Sequence, residues 1–184
     1  MKSLFAIIIT LFFCLSLYSG NNDYSGVKGG LNFANLVTEN GAFNSATKLT
    51  IGSFTKYKSK SSISTQGEGY ISFKGATDIT FICAEIDFLG RYDFKMDLPF
   101  NPYILAGPYL GFNLRGTADG IELTDDKFID YGGVVSFGIK FDKFSFEYRY
   151  SRGFSDIFKD YIPINHSVNS LLISYRYVKK NQFY

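Results

Sequence analysis

Few side chains in this 184-residue sequence have the type and spacing that chemistry needs. The single histidine, His166, follows Asp156 and Asp160, and an Asp/His pair could activate water by general acid–base catalysis. A lone histidine in a polar stretch, here read as the loop Ser155 to Ser167, is more often simply solvated. One imidazole excludes a metal site built from several histidines, and no motif implies a cofactor. Gly26-Val27-Lys28-Gly29-Gly30 has the glycines of a phosphate cradle but neither the following helix nor the Lys-Ser/Thr pair of a P-loop. Its glycines read instead as strand positions that bend or pack closely. Asn165-His166-Ser167 matches a glycosylation sequon, a pattern that arises often by chance. Cys14 lies in an N-terminal apolar run, which leaves Cys83 as the one cysteine of a processed chain and provides no intramolecular disulfide.

What is left is charge held at regular intervals. Glu85, Asp87, Arg91, Lys140, Glu147, Arg149 and Arg176 each fall on the polar face of an alternating segment. Such a set could line an ion path, or it could pair with itself and fill a narrow interior. The second reading is favoured, because about eight strands enclose a space just wide enough for side chains.

The elements that must hold these charges are strands. The sequence carries 20 Phe, 14 Tyr and 18 Gly against 4 Pro and no Trp, and both aromatics favour strands. Period-2 alternation dominates from Gly26 onward. Phe144, Phe146, Tyr148 and Tyr150 oppose Ser145, Glu147, Arg149 and Ser151, while Ile82, Ala84, Ile86, Phe88 and Tyr92 oppose Cys83, Glu85, Asp87, Arg91 and Asp93. The segment from Tyr131 to Phe141 and the last strand, ending at Tyr177, repeat the pattern. With Val27 to Leu36, Thr47 to Tyr57, Ile63 to Phe73 and Tyr103 to Arg115, eight strands are expected. Arg115 is placed on the polar face of its strand, and Pro108 within the same strand predicts a local irregularity. Short charged turns alternate with longer loops rich in Gly, Asn and Asp, and an even strand count brings both termini to the turn end.

These features predict an all-β fold, an eight-stranded antiparallel up-and-down transmembrane β-barrel. Closure removes sheet edges, a strict requirement in lipid. Alternation alone does not say which face is inside. Strand length, and aromatics near strand ends such as Phe94, Tyr103, Tyr131, Phe141, Phe144, Tyr175 and Tyr177, favour lipid outside. The alternative is a soluble lipocalin-type barrel with the aromatics around a hydrophobic ligand. The first 20 residues, with Lys2, an apolar run from Leu4 to Leu17, and Ser19 and Gly20, have the layout of a secretory signal peptide, which assigns 21–184 to the barrel domain. The net charge of +2 is spread along the chain and suggests no nucleic-acid partner.

The runs GVKGGLNFANL (Gly26 to Leu36), NPYILAGPYLGFNL (Asn101 to Leu114), DYGGVVSFGIKF (Asp130 to Phe141), FSFEYRYSRGFSDI (Phe144 to Ile157) and SLLISYRY (Ser170 to Tyr177) together resemble the porin-family outer-membrane β-barrel domain of Bacteroidetes-type bacteria, akin to small OmpA/OmpX-type barrels. That resemblance implies location in the cell outer membrane, outer-membrane lipid as surroundings and the outer-membrane assembly machinery as a partner. It implies no particular activity. In many such barrels the chain ends with its last strand, whereas here Val178 to Tyr184 follows. The expected function is a non-enzymatic envelope component or surface-loop binding scaffold with a packed polar lumen. A narrow porin for small solutes is the alternative.

Overall fold

The computed structural model describes residues 22–38, 41–42, 45–57, 59, 61–118, 121–122, 128–155 and 164–177. The expected leader 1–20, the pair Asp156 and Asp160, and the tail Val178 to Tyr184 lie outside the described residues. Eight long strands dominate: β1 (Asn22–Thr38), β2 (Ala46–Tyr57), β3 (Ile63–Gly75), β4 (Ile79–Asp93), β5 (Asn101–Ala118), β6 (Ile129–Phe141), β7 (Phe144–Gly153) and β8 (Ile164–Tyr177). Each pairs antiparallel with its successor in sequence. β1 then pairs with β8 from Ser25↔Tyr177 to Thr38↔Ile164, so the sheet closes on itself and no long edge is left exposed. Two-residue segments, Gly41–Ala42 and Ile121–Glu122, fold back on the loop ends of β1 and β5.

Alternation sorts the side chains as closure requires. On β6, Val134 and Ser136 point inward at 2% exposure, while Val135 and Phe137 point outward at 60% and 49%. The apolar face is therefore the outer one on every clearly alternating strand, which overturns the lipocalin-type alternative. Outward aromatics gather near the turn end, where Tyr57, Tyr92, Phe141, Phe144, Tyr175 and Tyr177 are exposed and the Phe144 and Tyr175 rings meet at 5.3 Å. Phe128, Tyr131 and Phe154 do the same near the loop end. This is the girdle arrangement of a barrel set in lipid.

Three expectations are corrected, and a fourth, at Pro108, takes a definite form. Tyr103 is not part of a girdle; it points inward at 1% exposure, in phase with Leu105 and Tyr109. Arg115 lies beyond a register shift between Ile82 and Cys83, pairs with Ile82, and is exposed on the outer side, because the extra residue of a bulge reverses the parity of everything after it. The irregularity expected at Pro108 is present, as a gap in pairing and not as a shift of register. The pairs with β4 simply lapse between Asp87↔Tyr109 and Gly90↔Ala106, where proline has no N–H to give, while pairing with β6 continues through Pro108↔Gly133. His166 is not in a loop: β8 begins at Ile164, and the imidazole faces the lumen at 1% exposure.

The β6–β7 turn is only Asp142 and Lys143, with Asp142 at φ 47°, a left-handed conformation that Asp tolerates better than most residues. At Gly138 the constraint is space: a Cβ there would run into the Tyr103 ring. Gly138→Ala is expected to cost about 1–3 kcal/mol through overpacking. Urea unfolding of the refolded protein measures the loss, and Gly133→Ala, whose new methyl would meet only the rim of the Phe154 ring, is the control.

Candidate functional site

The inward polar residues form three layers along the barrel axis, beside a buried cluster of Leu89, Tyr103, Leu105, Tyr109 and Val134. In the central layer, Glu68 on β3 is the hub. Its Oε1 accepts from Lys28 Nζ at 2.6 Å and from Gln66, and its Oε2 accepts from Tyr70 Oη and Arg149 Nη1, each at 2.6 Å. Arg149 also binds Asp87 through Nη2. Lys28 reaches Glu147 Oε2 at 2.9 Å, and Tyr103 Oη donates to the same oxygen at 2.9 Å. Lys28, Glu68, Asp87, Glu147 and Arg149 are all buried. β3 and β7 stand opposite each other in the ring of eight, so the Arg149–Glu68 pair crosses the full lumen.

Nearer the loop end, Lys74 Nζ lies 2.7 Å from Glu85 Oε2 and 3.8 Å from Asp130 Oδ2. Asp130 also accepts from Tyr109 Oη at 2.9 Å and Ser155 Oγ at 2.7 Å. His166 packs edge-on against Phe81, ring centroids 5.4 Å apart, and neither of its nitrogens has a hydrogen-bond partner among the described residues. Between this layer and the central one, Asn32 bridges Ser72 and Ser170 at 2.8 Å each. The void beside them is about 10 Å³, about the space one water centre occupies.

Near the turn end, Arg91 grips Asp93 Oδ1 through Nε and Nη2 at 2.9 and 2.8 Å, donates to Gln66 Oε1 at 2.8 Å, and stacks 3.7 Å over the Tyr103 ring. Lys56 takes the other oxygen of Asp93 at 2.9 Å. Lys140 and Arg176 also point inward here, both only half buried. Of the seven charges singled out from sequence, the structure brings Asp87, Glu147 and Arg149 together in the central layer, places Glu85 toward the loops, and puts Arg91, Lys140 and Arg176 at the turn-end mouth. No group of three or more His, Cys, Asp or Glu with metal-holding geometry occurs among the described residues.

This closed eight-stranded barrel, apolar without and ionic within, has the fold of known bacterial surface proteins. Residues 20–159 match the family model described as outer membrane protein beta-barrel domain. The chain belongs to that family. It is therefore an outer-membrane barrel, surrounded by lipid, and its exposed apolar belt is the lipid-facing surface. No curated protein matches its sequence. Among solved structures, Neisserial surface protein A is similar over 83% of this chain and 97% of its own, with 15% identity and a TM-score of 0.54. The outer membrane enzyme PagL is similar over 79% of this chain and 97% of its own, with 15% identity and a TM-score of 0.55. Identities this low bear on the fold alone, and one of the two neighbours being an enzyme shows that this outer-membrane barrel shape does not by itself fix a function.

Several lumen residues escape a reading by sequence. Lys74 and Asp130 lie one position beyond the ends drawn for their strands, although Lys74 continues the inward series Glu68, Tyr70, Ser72 and Asp130 precedes Gly132 and Val134 in phase. Lys48 and Lys56 sit on β2, whose weak alternation leaves its faces undefined from sequence, yet Thr50 and Phe54 mark the inward phase.

Proposed function

We propose that this chain is a non-enzymatic outer-membrane scaffold whose lumen is packed and non-conducting, and which acts through the loops it holds at the membrane surface. The observation that carries this reading is the Arg149–Glu68 pair joined to Lys28, Asp87, Glu147 and Tyr103, which ties β1, β3, β4, β5 and β7 together across the lumen. Ions would have to displace buried, mutually paired charges to pass, and separating such pairs inside the barrel is costly. The acid–base alternative has little support: the His166 ring faces Phe81, and Ser155 is engaged with Asp130 rather than with an imidazole.

Purified protein reconstituted in a planar bilayer is expected to show no steady conductance above that of the bare bilayer. A large, steady conductance would refute the packed lumen and favour a narrow porin, in which case neutralising Arg91 or Arg149 should shift ion selectivity.

A further inference from the structure

The turn-end layer differs from the other two in that its cations outnumber their partners. Lys56, Arg91, Lys140 and Arg176 all point into the mouth, and the carboxylates facing them are Asp93 within and Asp23 at the rim. Asp93 is already taken at both oxygens, by Arg91 and by Lys56, and Asp23 lies 3.3 Å from Lys56. The Lys140 side chain makes no ion pair or hydrogen bond among the described residues, although it is within electrostatic reach of Arg91, Arg176 and Lys56 as well as Asp93. Arg176 lies 5.2 Å over the Tyr24 ring, and its Nε is buried without a hydrogen-bond acceptor among the described residues.

Like charges gathered in a half-buried mouth repel one another, and a buried N–H without an acceptor is a cost that native structures seldom leave standing. Both are relieved by one anion with several acceptor oxygens. We propose that the turn-end mouth is a binding site for a phosphate group, held by Arg176 and Lys140. A guanidinium presents Nε–H and Nη–H as a fork matched to two phosphate oxygens, and a lysine ammonium supplies a mobile point charge for a third. The Tyr24 ring fixes the Arg176 guanidinium from one side, so little side-chain freedom is lost on binding. Asp93 stays committed to Arg91 and Lys56 and does not compete for the open pair. The phosphate is either free in solution on the turn side of the membrane or the headgroup of a phospholipid in the adjoining leaflet; the recognition chemistry is the same.

The full chain, refolded in a zwitterionic detergent, is titrated with inorganic phosphate at constant ionic strength while the arginine Nε–H resonances are followed by NMR. The expected result is a saturable shift of the Arg176 Nε–H. Lys140→Gln should weaken binding roughly tenfold or more, the loss of one charge-assisted hydrogen bond. Lys143→Gln, at the tip of the β6–β7 turn, should change it less than twofold. In nanodiscs of zwitterionic lipid the same titration is repeated with and without phosphatidylglycerol. Competition by the anionic lipid identifies the headgroup as ligand, and undiminished phosphate binding identifies the soluble ion. Absence of a saturable shift at Arg176 in the native chain overturns the proposal whether or not the variants fold, as does equal affinity in a folded Lys140→Gln protein.

Discussion

Replacing Arg149 with methionine is expected to destabilise the folded barrel by roughly 3–5 kcal/mol, the usual cost of removing one partner from a buried ion pair. Arg149 serves two carboxylates, Glu68 and Asp87. Without it, Glu68, Asp87 and Glu147 face Lys28 alone in a layer that water barely reaches. Methionine fills similar volume, so the loss reports charge rather than a cavity. Urea titration monitored by heat-modifiable migration on a gel measures it, since folded outer-membrane barrels resist detergent until boiled. Combining Arg149→Met with Glu68→Gln and Asp87→Leu should recover much of the loss, because the remaining Lys28–Glu147 pair is balanced and replacing buried ion partners together by neutral groups is often close to neutral. If the single variant costs less than about 1 kcal/mol, the range of exposed ion pairs, the central layer is solvated and the packed lumen is wrong.

The second large effect lies on the opposite face of the same wall. Leu171 is 52% exposed on the outside, between Leu31 of β1 and Tyr148 of β7, in the middle of the apolar belt. Leu171→Arg is expected to cost about 2–4 kcal/mol when the barrel is folded into bilayers, and the same charge in place of Tyr177 at the turn-end rim about 0–1 kcal/mol. The depth dependence is the informative part. A water-facing outer wall would tolerate arginine equally at both positions, so equal costs would remove the lipid-facing assignment.

The strands were readable because their period is 2 and their two faces meet different surroundings. Phe144 to Ser151 displays its inward and outward residues without any knowledge of the rest of the chain. Parity likewise places Glu85, Asp87 and Arg91 on one side of β4, and inward once closure and the lipid face are known. It does not say which charges share a layer. That depends on the stagger between strands, which brings Lys28 to Glu147 across 119 positions of sequence. Parity also fails across a bulge, as at Arg115. At Tyr103 parity holds and residue type misleads: the ring packs under Arg91 while its hydroxyl reaches Glu147. His166 was obscured for another reason. Asn165, Ser167 and Asn169 flank it and resemble a loop, yet they are the outward residues of the β8 end, where the wall leaves the apolar belt.

The β1–β8 seam has a kinetic consequence. Each neighbouring hairpin can form from a short stretch of chain, but the seam joins residues such as Asn32 and Ser170, 138 positions apart. The loop-closure entropy of that meeting is lost before any ladder bond is gained. The same event brings Lys28 on β1 to Glu147 on β7, so the barrel wall and its ionic centre are completed together. Until then, an open sheet holds Glu68, Glu147 and Arg149 with part of their partnership missing. Partly closed forms are thereby disfavoured, and folding takes the character of slow registration at one joint followed by an all-or-none lock.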